Sequence, residues 1–242
     1  DQGYNLVNVK LLPPVPNARR IICVGMNYPK IYPVEGAVSP PKNMLLFAKL
    51  EGTLVGHNTR LEIPMGDAAK TYDYEGEIVL VIGKAGRYIE TEGVMDHIAG
   101  YTIMNDGSVR GWQTQSLHAG KNFANSGSCG PWMVTKDEIE DFSEMHIQTR
   151  LNGETMQSAK AKDMLININE LVSYISHTID IKPGDLIATG SPDGSGGSLT
   201  PPRFLKRDDQ LEIEISGLGI LKNTIGLTSA AEMNQQNTGM IL

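Results

Sequence analysis

Three carboxylates, Asp73, Glu75 and Glu77, crowd the entry to the apolar run Ile78-Val79-Leu80-Val81-Ile82. A β-branched run of this kind reads as a buried strand. Side chains alternate along a strand, so the three acids share one face. Carboxylates packed side by side repel, and burial without a partner drives them toward the neutral form. A fold that accepts this segment must set positive charge beside it. A hard divalent cation would do so through the oxygen ligands that Mg²⁺, Mn²⁺ or Ca²⁺ prefer. The bland alternative is an exposed strand face with solvated acids. The apolar sequel Ile78–Ile82 places the acids near a core and tips the reading toward metal.

The 242 residues suffice for one large domain or two small ones, and no linker-like stretch marks a boundary. A net charge of −7 argues against nucleic acid as a partner, since that would need a basic footprint. Cys23 and Cys129 are too few for a disulfide framework and read as buried, reduced thiols. No stretch approaches the roughly 20 apolar residues of a membrane span. No signal peptide is recognisable either. A cytoplasmic enzyme with no membrane partner is the expectation.

Short strands are expected at Ile21–Gly25, Met44–Lys49, Leu54–Val55, Leu61–Pro64, Glu77–Gly83, Ala99–Met104, Trp132–Thr135, Leu186–Thr189 and Ile220–Ile225. Pro29, Pro33, Pro40 and Pro41 exclude a long helix or a central strand from residues 28–43. Met145–Leu151 alternates and ends in Asn152-Gly153, a two-residue hairpin signal. Gln210–Ser216 alternates too, and Gly217-Leu218-Gly219 turns the chain. Ile168, Leu171, Val172 and Ile175 recur at helical spacing and predict a helix over Ile168–Thr178. Shorter helices are expected over Val94–Ile98 and Ser108–Ser116, and Gly127–Gly130 reads as a turn. Short strands outnumber helices, which predicts a β-rich α+β sandwich or barrel.

Four constellations carry possible chemistry. Glu75 and Glu77 on one strand and Asp106 at the end of another would supply three carboxylates to a six-coordinate hard cation. A helix beginning near Ser108 would set Arg110 and Gln113 one turn apart, close to Asp106; a capped helix with a surface Arg–Gln pair is the plainer alternative. Lys121, between Gly120 and Asn122-Phe123, reads as a partly buried cation. Burial would lower its pKa and fit it for acid–base work, against the commoner solvated lysine. Thr189-Gly190 ends a strand with a hydroxyl and backbone N–H groups that suit a carboxylate, against an ordinary strand-to-loop turn. None of the five histidines has zinc spacing to another, and no Walker loop or nucleophile elbow is present.

Taken in order, these stretches resemble the fumarylacetoacetate hydrolase family, in its small single-domain bacterial type. The resemblance runs from Ile21-Ile22-Cys23-Val24-Gly25-Met26-Asn27-Tyr28 to Gly219-Ile220-Leu221-Lys222-Asn223. Asp73-Tyr74-Glu75-Gly76-Glu77, Gly100–Asp106, Gly120-Lys121-Asn122-Phe123, Gly130-Pro131-Trp132, Asn152-Gly153-Glu154, Pro183-Gly184-Asp185 and Thr189-Gly190-Ser191-Pro192 stand between them. Each motif is weak alone, and their joint order makes the resemblance specific. It implies an α+β, β-rich fold, a mixed β-sandwich roll with short helices, and a homodimer. Residues 1–20 would be the remnant of an N-terminal segment, 21–228 the catalytic domain and 229–242 a C-terminal tail. It implies Mg²⁺ or Mn²⁺ held by Glu75, Glu77 and Asp106, with a 2-oxo or 2,4-dioxo acid as substrate. Arg110, Gln113 and Lys121 would surround the reacting carbonyl. Thr189, Gly190, Tyr28 and Arg110 would bind the substrate.

One departure bears on the reaction. Hydrolases and decarboxylases of the family carry His-x-x-Glu after the Asn-Tyr, where this chain has Ile31 and Val34. Glu35, one residue on, is the catalytic candidate there, with Lys30 and Tyr32 as neighbours able to act as base. The leading expectation is hydrolytic C–C cleavage of an acylpyruvate-like acid through an enolate, in the catabolism of aromatic or related compounds. Loss of the histidine raises an isomerase, decarboxylase or dehydratase at the same site. A non-catalytic ligand-binding member of the fold is the third reading.

Overall fold

The computed structural model describes residues 5, 9–32, 36–37 and 41–227. The apolar run behind the acids becomes the strand Gly76–Ile82, buried at every residue. It is the middle strand of a seven-stranded sheet. The sheet order is Leu45–Lys49, Ile21–Gly25, Leu186–Ala188, Gly76–Ile82, Ile98–Asn105, Gly127–Thr135 and Leu54–Val55. A second sheet of five strands has the order Glu154–Lys160, His146–Leu151, Gln210–Ile215, Gly219–Leu227 and Leu61–Ile63.

Alternation explains why the middle strand lacks a polar face. Ile78, Leu80 and Ile82 point into a core shared with Ile147, Ile213, Ile215 and Leu221 of the second sheet. Val79 and Val81 point the other way, into a cluster with Cys23, Met104, Cys129 and Leu186. Both faces are covered, so a continuous apolar run is what the position requires. Burying one such side chain contributes roughly 1.5–3 kcal/mol, and the run of five anchors the strand whose entry carries the acids. Parallel pairing of Ile21–Gly25 with Leu186–Ala188 and of Gly127–Thr135 with Leu54–Val55, with antiparallel pairing at the other junctions, makes the sheet mixed. The mixed β-sandwich roll expected from the sequence is the fold found.

Among the described residues the longest α-helix spans Ile168–Thr178, where the spacing places it. Asn167 caps it by accepting from the backbone N–H groups of Asn169 and Glu170. Its face of Leu171, Val172 and Ile175 closes the main core. Asn152 and Gly153 both take positive φ, as an Asn-Gly hairpin turn demands. Among the described residues no helix is long and apolar enough to cross a membrane.

Two expectations change. Gly127–Gly130 is not a turn but the first half of the strand Gly127–Thr135, whose register shifts between Gly130 and Val134. Glycine is needed at 127 for close approach, because a Cβ there would stand 2.7 Å from the Asn105 carbonyl oxygen. Ser108–Ser116 is not one helix. Ser108–Val109 pairs as a short strand with Tyr72–Asp73. A single helical turn, Arg110–Gln113, follows, and a new helix covers Leu117–Lys121 behind the cap Ser116. Backbone pairing to the acidic segment wins over helix extension, and Gly111 weakens the helix locally.

Candidate active site

The ladder between Gly76–Ile82 and Ile98–Asn105 brings the end of one strand to the start of the other. Gly76 pairs with Asn105 there. Asp106 extends the junction by donating its backbone N–H to the Glu75 carbonyl at 2.8 Å. Asn105 supports it from the other side, its Oδ1 accepting from the Glu75 backbone N–H at 3.1 Å. Carboxylate oxygens of Glu75, Glu77 and Asp106 consequently lie within 4.8 Å of one another, all three residues buried.

Two cations stand on the Asp106 side. Lys121 Nζ donates to Asp106 Oδ2 at 2.5 Å and also to Glu75 Oε2. Lys49 Nζ donates to Asp106 Oδ1 at 2.7 Å and to the Lys121 carbonyl at 2.6 Å. A third cation, Arg110, reaches Glu75 Oε1 through Nη2 at 2.9 Å and Asp73 Oδ2 through Nε at 2.7 Å. Burial opposes the charge of Glu75, but Arg110 and Lys121 outweigh it and hold its carboxyl well below the usual range. Lys121 behaves likewise. Burial works against its charge, and Asp106 and Glu75 overcome it, so its pKa is raised. The expected lowering is thus reversed, because the lysine is buried among acids and not among apolar groups.

Glu77 differs. Among the described residues its carboxylate accepts one hydrogen bond, from the Gly190 N–H at 2.9 Å. Burial, then Asp106 and Glu75, push its carboxyl well up. A cluster of three buried oxygen donors with one member short of positive charge fits a hard divalent cation. Glu75, Glu77 and Asp106 would hold it.

Asp73 does not join the cluster. Its fully buried carboxylate accepts from the backbone N–H groups of Gly196 and Gly197, at 2.8 and 2.9 Å, besides Arg110. It ties the loop around Gly194–Ser198 to the guanidinium. Arg110 Nη1 in turn lies 3.4 Å from Gln113 Oε1. The single helical turn is enough to bring these two side chains together.

A cavity of about 220 Å³ opens over the acids, with Lys30, Arg110, Gln113, Lys121 and Ser191 among its walls. The Thr189 hydroxyl is turned away into the sheet and donates to the Ile78 carbonyl at 2.9 Å. Gly190, at φ +98°, faces Glu77 through its N–H. A Cβ there would meet Asn27 at 2.8 Å, so the position requires glycine. From the Thr189-Gly190-Ser191 motif, then, Ser191 lines the cavity. Tyr28 is buried, and its hydroxyl has no partner among the described residues; burial and then Glu77 raise its pKa. Glu35 lies outside the described residues, and nothing is described of the side chain of Tyr32.

Lys49 is the member of this charged cluster that sequence reading passes over. Its ammonium is wholly buried against Asp106. A lysine closing the strand Leu45–Lys49 looks like a chain leaving the core for solvent, and nothing local to it announces an acid 57 residues away.

Fold and site together define a member of the fumarylacetoacetate hydrolase family. The pattern described as Fumarylacetoacetate (FAA) hydrolase C-terminal matches residues 20–226, and the chain belongs to that family of enzymes. The oxaloacetate tautomerase YisK of Bacillus subtilis (strain 168) is 37% identical over 235 residues, covering 92% of this chain and 75% of the relative. Among solved structures, a fumarylacetoacetate hydrolase from Exiguobacterium antarcticum is similar at TM-score 0.81 and 31% identity, covering 94% of this chain and 84% of that one. A 5-carboxymethyl-2-hydroxymuconate delta-isomerase from Mycobacterium smegmatis has TM-score 0.81 and 29% identity, covering 95% and 86%.

Proposed function

We propose that this enzyme interconverts the keto and enol forms of a small 2-oxo acid, with oxaloacetate as the leading substrate, using Mg²⁺ or Mn²⁺. The carrying observation is the buried set Glu75, Glu77 and Asp106, flanked by Lys121 and Arg110 at the floor of a small cavity. A divalent ion bound by the three carboxylates would act as a Lewis acid on the 2-oxo group. Lys121, held as an ammonium by its two acids, hydrogen-bonds the oxygen on which negative charge develops as the C3 proton leaves. Arg110, fixed by Asp73 and Glu75, binds the adjacent carboxylate in one orientation. Preorganised cations in a water-poor site stabilise such charge without reorganising. Gln113, at the Arg110 side of the cavity, orients the acid by hydrogen bonding.

Enolisation needs only a proton shuttled between C3 and oxygen. Ile31 and Val34, in the places of His-x-x-Glu, favour this reading over one that must activate water. The 37% identity to a tautomerase supports it. Hydrolytic C–C cleavage is the second reading, supported by the structural likeness to a fumarylacetoacetate hydrolase. In that case Glu35 would activate the water. The test follows oxaloacetate and an acylpyruvate by NMR with Mg²⁺ or Mn²⁺ present. Enolisation predicts faster enol–keto exchange of oxaloacetate with both carbon skeletons intact. Cleavage of the acylpyruvate to pyruvate and a carboxylic acid would favour hydrolysis instead, and CO₂ release would favour decarboxylation.

A further inference from the structure

We infer that Lys30 selects substrates with a second carboxylate, pairing with the one remote from the 2-oxo group; this rests on the enolisation reading. Four cations surround the site. Arg110 is paired with Asp73 and Glu75, Lys121 with Glu75 and Asp106, and Lys49 with Asp106. Lys30 lines the same cavity, and among the described residues no carboxylate forms an ion pair with it.

Charge balance points the same way. Among the described residues the four cations are matched by Asp73, Glu75, Glu77 and Asp106 once all four acids are ionised, the state a bound metal imposes on Glu77, so these side chains then sum to zero. A divalent cation makes the site doubly positive, the charge that a dicarboxylate dianion cancels. The carboxylate beside the 2-oxo group falls to Arg110, which is already committed next to the acids. The cation remaining for a second carboxylate is Lys30, half-buried in the cavity wall, where a charge is weakly screened. A 2-oxo monocarboxylate would leave it unused.

The test compares oxaloacetate with 2-oxobutanoate, which carries a methyl in place of the remote carboxylate. Binding of each acid to the Mg²⁺-loaded protein is measured by calorimetry, for the native chain, Lys30→Met and Lys30→Arg. A charge-assisted hydrogen bond of ordinary strength predicts about 10- to 100-fold weaker oxaloacetate binding in Lys30→Met, with 2-oxobutanoate changed by less than about twofold. Lys30→Arg retains the preference. Equal weakening of both acids, or none of either, overturns the assignment. The native chain's rate of C3 deuterium exchange separates the two claims. Lys30-dependent preference without exchange overturns enolisation and leaves the selectivity standing. Failure of the native chain to bind either acid overturns both.

Discussion

Glu75 and Glu77 stand two residues apart at the entry to one buried strand, yet their surroundings oppose each other. Glu75 meets Arg110 and Lys121, and its carboxyl is held low. Glu77 meets two like charges and a single backbone N–H, and its carboxyl is driven up. Burial is common to both and cannot explain the difference. What differs is which side of the strand entry the lysine and arginine approach. The Glu75 side is a finished ion-pair network whose charges compensate one another. The Glu77 side is strained until a further cation arrives. One site thus combines a built scaffold with a demand for charge, which is how a buried cluster can bind an ion tightly without collapsing around it.

Removing the link between the two sides has the largest expected effect. Lys121→Ala strips Glu75 and Asp106 of their shared ammonium. Loss of a preorganised donor of this kind lowers the rate by roughly 10²–10³-fold, measurable as kcat for oxaloacetate enol–keto exchange. Unchanged turnover would make the lysine a structural counter-ion only.

Asp73→Asn attacks the Glu75 side from behind. One amide oxygen must replace two carboxylate oxygens that accept from Gly196, Gly197 and Arg110. Losing a charge-assisted hydrogen bond costs about 1.5–3 kcal/mol, to be read in denaturant unfolding, and the freed guanidinium should raise KM more than it lowers kcat. A variant that unfolds at the native midpoint and keeps KM would remove Asp73 from the scaffold.

A smaller effect is the pH dependence of the metal-free protein. Glu77 has a folded pKa above its unfolded value, so above the unfolded pKa the folded state retains a proton that the unfolded state has lost. Stability therefore falls as pH rises from the unfolded pKa toward the folded one, by about 1.4 kcal/mol per pH unit in that window for a single group. Glu75 contributes the opposite sign, and its share is complete above the unfolded pKa and lost only as pH falls through its low folded pKa. Thermal melts across pH 5 to 8 with and without Mg²⁺ should show a stabilisation by metal that grows with pH (a range of about three units). A metal effect independent of pH would place the ion elsewhere.

Much of this is legible in the sequence alone. Alternation through Glu75 and Glu77, and an apolar run too continuous for a half-exposed strand, announced a buried acidic entry. The hairpin at Asn152-Gly153 and the helix Ile168–Thr178 followed from turn chemistry and period, which are local signals. Long-range compensation was hidden. Lys49 reaches Asp106 across 57 positions, and Asp73 reaches Gly196 across 123, distances over which no local pattern extends. Glycine misled at Gly127, where it permits close packing of strands and not a turn. Thr189 misled in another way. Its motif does approach the cavity, but the sheet claims the hydroxyl and leaves Ser191 in the wall.

The contrast between the two glutamates has one direct measurement: denaturant unfolding of Glu75→Gln and Glu77→Gln in the absence of divalent metal, at neutral pH. Removing one partner of a buried ion pair costs about 3–5 kcal/mol, whereas neutralising an uncompensated buried charge stabilises. The account predicts that Glu75→Gln unfolds at lower denaturant than the native chain and Glu77→Gln at higher. Both variants shifting the same way would contradict it.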